Sequence, residues 1–405
     1  MNPLEHELRY PWSEVPAAGT VTTLRPGVHW LRMPLPFALD HINLWLLEDE
    51  IEGVAGFTII DCGITSDETM AAWERIFDTV LDGAPVLRVI ATHFHPDHLG
   101  LAHWLTRGGA RQRWQARLWM TATEYAYGRF LSAGSDDTSG DGAAAHFRRH
   151  GLSDPAALAQ VRARGGGSYP TLVPAVPGSY RRLSDRDESA IGRPAGRMAG
   201  RMAGRTAGRA AGRTAGSTAD PSGGRTADPG AHRPADGPGA KRIFRVIVGH
   251  GHAPEHVSLW CEEERLLISG DMVLPRISTN VSVFDLEPEA DPLPRYLHSL
   301  DRYAALPADT LVLPSHGKPF IGLHERIAQQ HAHHRERLAE VLAACAQPCT
   351  AAQIVPVLFR RELDLHQLTF ALGESLAHLH ALWHGGRLQR LLNDDGVYRF
   401  RAVLD

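Results

Sequence analysis

Four potential metal ligands fall within six residues at His93-Phe94-His95-Pro96-Asp97-His98. Neutral imidazole together with ionised carboxylate is the donor mixture that a borderline divalent cation such as zinc prefers. The stretch follows, after Thr92, the run Val86-Leu87-Arg88-Val89-Ile90-Ala91, mostly apolar and of strand character, and a strand end can aim several side chains at one point. His93 and His95 lie two apart, so both imidazoles project to one side of an extended segment. Asp97 and His98 fall where the chain turns into a helix expected over residues 99–105, and can face a second ion. With 23 histidines in 405 residues, a lone His-x-His would mean little. The whole pattern, with a strand before it and a helix after it, reads as a metal centre.

Distant strands must bring in the remaining donors of such a site, and three places downstream repeat the design. Val246-Ile247-Val248-Gly249-His250-Gly251-His252-Ala253-Pro254-Glu255-His256 runs a strand into a Gly/His/Pro turn, where one of three histidines is a candidate ligand. Leu266-Leu267-Ile268-Ser269-Gly270-Asp271 delivers a carboxylate, and Thr310-Leu311-Val312-Leu313-Pro314-Ser315-His316-Gly317 an imidazole. Asp and His at strand ends also serve turn chemistry, so each place alone is weak. Their serial order is what counts.

These residues resemble the metallo-β-lactamase superfamily over residues 25–325. The resemblance implies an α/β (α+β) fold: an αββα metallo-β-lactamase sandwich with a dinuclear site at one edge of two packed sheets, a helical cap insertion and a C-terminal winged-helix domain. Position by position, it gives His93, His95 and His252 to one ion, Asp97, His98 and His316 to the other, and makes Asp271 the bridging carboxylate. Gly251-His252-Ala253-Pro254-Glu255-His256 is similar to the family's Gly-His-[Ser/Thr]-Pro-x-His turn, which selects His252 and leaves His250 and His256 as supporting or surface residues. Thr58-Ile59-Ile60-Asp61-Cys62-Gly63 resembles the first motif, in which Asp61 supports the metal loop through hydrogen bonds. His95, where the family's diiron flavoprotein branch has Glu, argues against that branch.

A hydroxide held between two divalent ions has a pKa far below that of bulk water, so a strong nucleophile exists at neutral pH. One ion can polarise the carbonyl or phosphoryl oxygen under attack. Asp97 and Asp271 are the catalytic candidates for relaying a proton to the leaving group. Two zinc ions are the expected cofactors, and iron or manganese suits the same donors.

A chain of 405 residues with 43% hydrophobic content can build two domains with real cores, and a net charge of −4 implies no obligatory polyanion partner. No run of 18 apolar residues occurs, and Met1-Asn2-Pro3-Leu4-Glu5-His6-Glu7-Leu8 lacks the basic-then-apolar order of a signal peptide, which gives the expectation of a cytoplasmic protein without a membrane partner. Four cysteines, Cys62, Cys261, Cys345 and Cys349, suit a reducing compartment. Cys345 and Cys349 are spaced for a redox pair, but no partner motif accompanies them, and two unrelated thiols across a helix end is the favoured reading.

The expected organisation is a catalytic domain over residues 1–323 and a winged helix over 324–405. Residues 121–179 look like a helical cap whose Tyr125, Tyr127, Phe147 and Tyr169 are candidates to meet substrate, although aromatic residues at helical spacing more often pack a core. Residues 192–240 repeat Ala-Gly-Arg-x and then become rich in Pro, Gly, Asp and Thr. Glycine at every fourth position disfavours helix, so disorder is predicted, as a linker rather than a nucleic-acid tail. Beyond residue 324, three helices and a hairpin around Asn393-Asp394-Asp395-Gly396 make the winged helix. Its third helix carries no Lys or Arg, so buttressing or homodimer formation is favoured over nucleic-acid binding. Three functions follow: a metal-dependent hydrolase acting through a metal-bridging hydroxide on a small ester, thioester or lactone; a phosphodiesterase or endoribonuclease on single-stranded RNA; and a non-catalytic ligand-binding regulator.

Overall fold

Apolar and β-branched runs separated by Gly-containing turns build two sheets. In the computed structural model, which describes residues 2–134, 140–165, 168–192 and 242–403, seven strands form the first sheet in sequence order: β1 (Thr22–Arg25), β2 (Val28–Pro34), β3 (His41–Ile51), β4 (Val54–Ile60), β5 (Val86–Ile90), β6 (Arg117–Met120) and β7 (Tyr180–Arg182). The first three pairings are antiparallel and the last three parallel. The second sheet holds β8 (Glu188–Ile191), β9 (Arg242–Gly249), β10 (His256–Cys261), β11 (Leu266–Gly270), β12 (Leu311–Pro314) and β13 (Phe320–Ile321) in the order β13-β12-β11-β10-β9-β8. Between Arg182 and Glu188 the chain crosses from the first sheet to the second. Ile191 pairs with Arg242, so the segment read as disordered, which lies outside the described residues, leaves and re-enters one hairpin.

Trp30, Trp45, Ile60 and Ile90 of the first sheet meet Phe244, Val246, Leu259 and Ile268 of the second in one buried cluster. Helices cover both outer faces, which completes the four layers. On the first sheet lie α1 (Asp67–Ile76), α2 (Pro96–Leu99) and α3 (Ala102–Thr106), with Trp73, Ile76, Leu99 and Leu105 packed onto Leu44 and Ile59. The helix expected from residue 99 starts earlier, at Pro96, since proline lacks only the amide that a first helical turn leaves unpaired. The cap contains α4 (Ala122–Ala133), α5 (Gly140–Arg149), α6 (Pro155–Gly165) and α7 (Ser168–Leu172), of which α5, rich in Ala and Gly, gave no sequence signal.

On the second sheet lies α8 (Pro292–Ala304), followed by α9 (Leu323–Ala344), α10 (Ala351–Leu358), α11 (Leu365–His384) and the hairpin β14 (Leu388–Leu392) and β15 (Tyr398–Ala402). Thr350 caps α10 in a reciprocal box with Gln353, and Asp364 caps α11. One apolar cluster runs from Leu267 and Phe320 through Tyr296 and Leu300 into Ile327, Ile354, Leu376 and Phe400, so the packing is continuous across residue 323. Every residue of α11 from Ala371 to His380 is buried. The cap supplies the covering: Phe147, Leu158 and Val161 pack on Ala371 and Leu372. Cys345 and Cys349, read as unrelated thiols, lie with their sulfurs 2.9 Å apart and buried at the α9–α10 turn. Among the described residues no helix is long and apolar enough to cross a membrane.

Candidate metal centre

Strand ends deliver the donors to one edge of the sandwich. His93 and His95 follow β5, Asp97 and His98 lie in α2, His252 sits in the β9–β10 turn, Asp271 follows β11 and His316 follows β12. All seven converge. His93 Nε2 lies 2.9 Å from His95 Nδ1 and 3.2 Å from His252 Nε2, while His316 Nε2 and His98 Nε2 stand 3.4 and 3.5 Å from Asp97 Oδ2. Asp271 faces both groups: Oδ2 is 3.3 Å from His252 Nε2, and Oδ1 is 3.6 and 3.5 Å from the Nε2 atoms of His98 and His316. The donor atoms of His93/His95/His252, His93/His98/Asp271 and Asp97/His98/His316 are each compact enough to hold an ion.

The remote ring nitrogens are held by acceptors. Asp61 Oδ2 accepts from His98 Nδ1 at 2.8 Å, Asn280 O from His252 Nδ1 at 2.7 Å, and His41 O from His316 Nδ1 at 2.8 Å. A ring that donates from Nδ1 presents a lone pair at Nε2, which is the tautomer a metal needs. Asp61 lies where the first motif put it, with its backbone in the left-handed region at φ 62°, and its Oδ1 also accepts from Thr92 N at 2.8 Å. His98 Nε2 and Asp271 Oδ1 are buried and have no hydrogen-bond partner. Orphaned polar atoms at such depth are costly, and a cation between them satisfies both.

Charge divides the centre into two halves. Burial drives His95 down to about 3 and His93 well below the usual imidazole range, so these two offer neutral donors. Burial pulls in the same direction on His98 and His316, but Asp97, Asp61 and Asp271 outweigh it at His98, and Asp271 and Asp97 do so at His316, carrying them up to about 9 and about 10. Against burial, His98 and His316 hold Asp97 down at about 2. This half attracts positive charge, which protons supply in the protein alone and a dication would supply in their place.

Several supporting residues escaped the sequence reading. Glu124 of α4, fully buried, accepts from Phe94 N at 2.9 Å and Glu255 N at 2.6 Å, and so clamps the first metal loop to the β9–β10 turn. Asn43 of β3 donates to Pro314 O and Gly317 O and fixes the loop carrying His316. Acceptors and donors of backbone groups have no sequence spacing that would betray them. Thr92 alone had a signal, its place directly before His93. His256 is a buried support whose Nε2 accepts from Asp271 N at 3.1 Å, and a Cβ on Gly270 would fall 2.4 Å from that ring. His250 turns away and bonds Pro254 O.

The cap tyrosines divide. Tyr127 lines a cleft beside His95 and His252, and its hydroxyl donates to Glu287 at 2.6 Å. Tyr125 instead stacks on Tyr180, and Tyr169 donates to Phe94 O beneath the metal loop, so both are committed to support, as Phe147 is to the cap core.

A family model described as Metallo-beta-lactamase superfamily matches residues 39–166 and 199–316, and one described as Metallo-beta-lactamase-like, C-terminal domain matches residues 338–403. The crystal structure of a β-lactamase domain protein from Burkholderia ambifaria is 53% identical and superimposes with a TM-score of 0.83 over 99% of this chain and 100% of that one. A metallo-β-lactamase family protein from Thermus thermophilus, 24% identical, shares the fold with a TM-score of 0.66 over 94% of this chain and 100% of that one. The chain is 29% identical to "Probable metallo-hydrolase YqjP" of Bacillus subtilis (strain 168) over 137 residues, 33% of this chain and 42% of that protein. It is 33% identical to "Beta-lactamase-like protein 2 homolog" of Caenorhabditis elegans over 98 residues, 24% of this chain and 30% of that protein. The chain thus spans less than half the length of the curated relatives it matches.

Proposed function

The chain belongs to the metallo-β-lactamase superfamily, and on that premise we propose that it is a dinuclear zinc hydrolase of small esters, thioesters or lactones. The observation that carries this reading is the position of Asp271, one carboxylate whose two oxygens face both imidazole groups. Divalent cations bound there supply a water of lowered pKa and a Lewis acid for the carbonyl oxygen. His93, His95 and His252 are proposed to hold one ion and Asp97, His98 and His316 the other. Asp61, Asn280 O and His41 O keep the rings in the donor tautomer, and Glu124 keeps the two loops in register. Asp97 and Asp271, ionised across the neutral range, can take up a proton and pass it to the leaving group.

The surroundings favour carbon esters over RNA. The cleft beside the centre is lined by Glu287 and Asp291 against a lone exposed Arg295, a poor setting for a polyanion. The central turns of α11 are buried, so that helix cannot enter a nucleic-acid groove. The test is a hydrolase panel of thioesters, p-nitrophenyl esters, bis-p-nitrophenyl phosphate and a fluorescent RNA, with metal content measured on the same samples. The expected result is two ions per chain and ester or thioester turnover that falls more than about 100-fold in His95→Ala, beyond the loss typical of an outer partner. Cleavage of RNA alone, weakening steeply with salt, would replace this reading with the phosphodiesterase. Two bound ions without turnover of any substrate would leave the regulator.

A further inference from the structure

The cleft beside the metal centre has a volume of about 130 Å³, and His95 and His252 form its inner wall. A substrate reacting at the centre can therefore extend a substituent into it. Phe94, Tyr127, Phe284 and Leu286 are the large apolar and aromatic side chains in the rest of the wall. Phe284 is 40% exposed and Leu286 43%, so two large apolar side chains two residues apart face water beside an active centre. A contiguous apolar patch of this kind marks a binding surface. Glu287 and Asp291 outnumber Arg295 in the lining, which disfavours an anionic occupant.

The wall is also built in advance. The 279–291 loop that carries Phe284 and Leu286 is gripped by the C-terminal helices and hairpin. Val283 N donates to Gly373 O at 3.1 Å, His380 Nδ1 to Ala290 O at 2.9 Å, and Arg390 makes two 3.0 Å bonds to Glu289. The same loop supplies Asn280 O to His252. Chain-length recognition and one ligand's orientation thus share a single support.

We propose that this cleft receives an uncharged alkyl or aryl acyl group of the ester or thioester substrate, with Phe284 and Leu286 setting its length. The inference rests on the hydrolase reading above. In the reaction the acyl C–O or C–S bond breaks, the acyl carbon gains the hydroxyl of water, and the leaving oxygen or sulfur gains its proton. A cavity of roughly 150 Å³ accommodates a benzene ring, so the part of the acyl group that the cleft covers is about six carbons or one phenyl ring.

Two measurements test this on the full-length, metal-loaded protein. The first is kcat/KM for p-nitrophenyl esters from acetyl to decanoyl, in wild type, Leu286→Asp, Phe284→Ser and Phe284→Leu. Each methylene buried should raise kcat/KM about twofold to fourfold, the latter being the full burial value, up to about six carbons and not beyond. The hexanoyl-to-acetyl ratio should fall about tenfold or more in Leu286→Asp and Phe284→Ser, chiefly through KM, and be largely restored in Phe284→Leu. The second is calorimetric binding of methyl ketones of matched length, which cannot be hydrolysed; affinity should rise with length and the heat-capacity change should be negative. Turnover that ignores acyl length in all four proteins overturns the cleft assignment while the hydrolase stands. Length-dependent ketone binding without ester turnover keeps the cleft and sinks the hydrolase. A flat ketone series overturns the inference whatever the turnover.

Discussion

Among the described residues, two gatherings of buried histidines stand out, and they differ in the charge set between the imidazoles. In the metal centre, Asp97 and Asp271 stand between the imidazoles and hold His98 and His316 up at about 9 and about 10. Behind the 279–291 loop, His146 of α5, His150 just after that helix, His334 of α9, and His378 and His380 of α11 are just as deeply buried. There burial is the leading influence and drives them down to about 4, 3, 2, 4 and 4. Glu374 is also buried in α11 and is itself pushed up to about 7, so it brings little negative charge. His334 and His378 bond one another at 3.3 Å, and the Nε2 atoms of His146, His150, His334 and His380 have no partner. Among the described residues, the donor groups compact enough for an ion all lie in the metal centre. Interleaved carboxylates, more than the number of imidazoles, separate a cation site from a polar core.

Asp271→Ala should break the contrast most severely. Removing the residue shared by both groups is expected to cost more than about 100-fold in kcat/KM, and metal analysis should find less than one ion per chain. His378→Leu, in the other gathering, should leave metal content unchanged.

Acidification should expose the second gathering. A histidine lowered in the folded state favours the neutral form, so its full contribution is present above the unfolded value near 6.5 and is lost as pH falls from there toward the lowered values. Each of the five should then cost roughly 1.4 kcal/mol per pH unit below 6.5. In the metal-free protein His98 and His316 work oppositely: raised in the fold, they stabilise below 6.5 and lose that contribution as pH rises through about 9 and about 10. Urea unfolding of the metal-free protein at pH 5 to 10 should therefore show maximal stability between these limits, and a monotonic rise in stability with pH would refute the assignment.

Glu124→Ala sharpens the comparison more gently. It strips an acceptor from two amides, at about 1–3 kcal/mol each, and kcat/KM should drop about 10- to 100-fold with both ions retained at saturating zinc. Smallest is Arg390→Ala. Its guanidinium stacks on Trp383 and Tyr398 and pairs with the exposed Glu289, so thermal unfolding should register about 1 kcal/mol or less.

The four places that carry the seven donors were legible because each follows an apolar run at a strand end, marked by hydrophobicity and by the polar residue that breaks it, while the choice of His252 among three histidines came from the resemblance. The three C-terminal helices and the hairpin around Asn393-Asp394-Asp395-Gly396 were legible in the same local way. What stayed hidden depends on partners from elsewhere in the chain. Glu124 matters through two backbone amides, Asn43 through two carbonyls, and neither bond leaves a pattern. The full burial of α11 depends on a covering that comes from the cap, far away in the chain. Tyr125 and Tyr169 have the composition of a binding surface and the contacts of a support.

The pairing of Ile191 with Arg242 has a practical consequence. Because those positions are already neighbours across an antiparallel ladder, an Asn-Gly dipeptide spans the gap as naturally as the fifty residues now joining them. That doorway is a grafting point where a tag or fluorescent reporter can be spliced into the chain with the catalytic edge undisturbed.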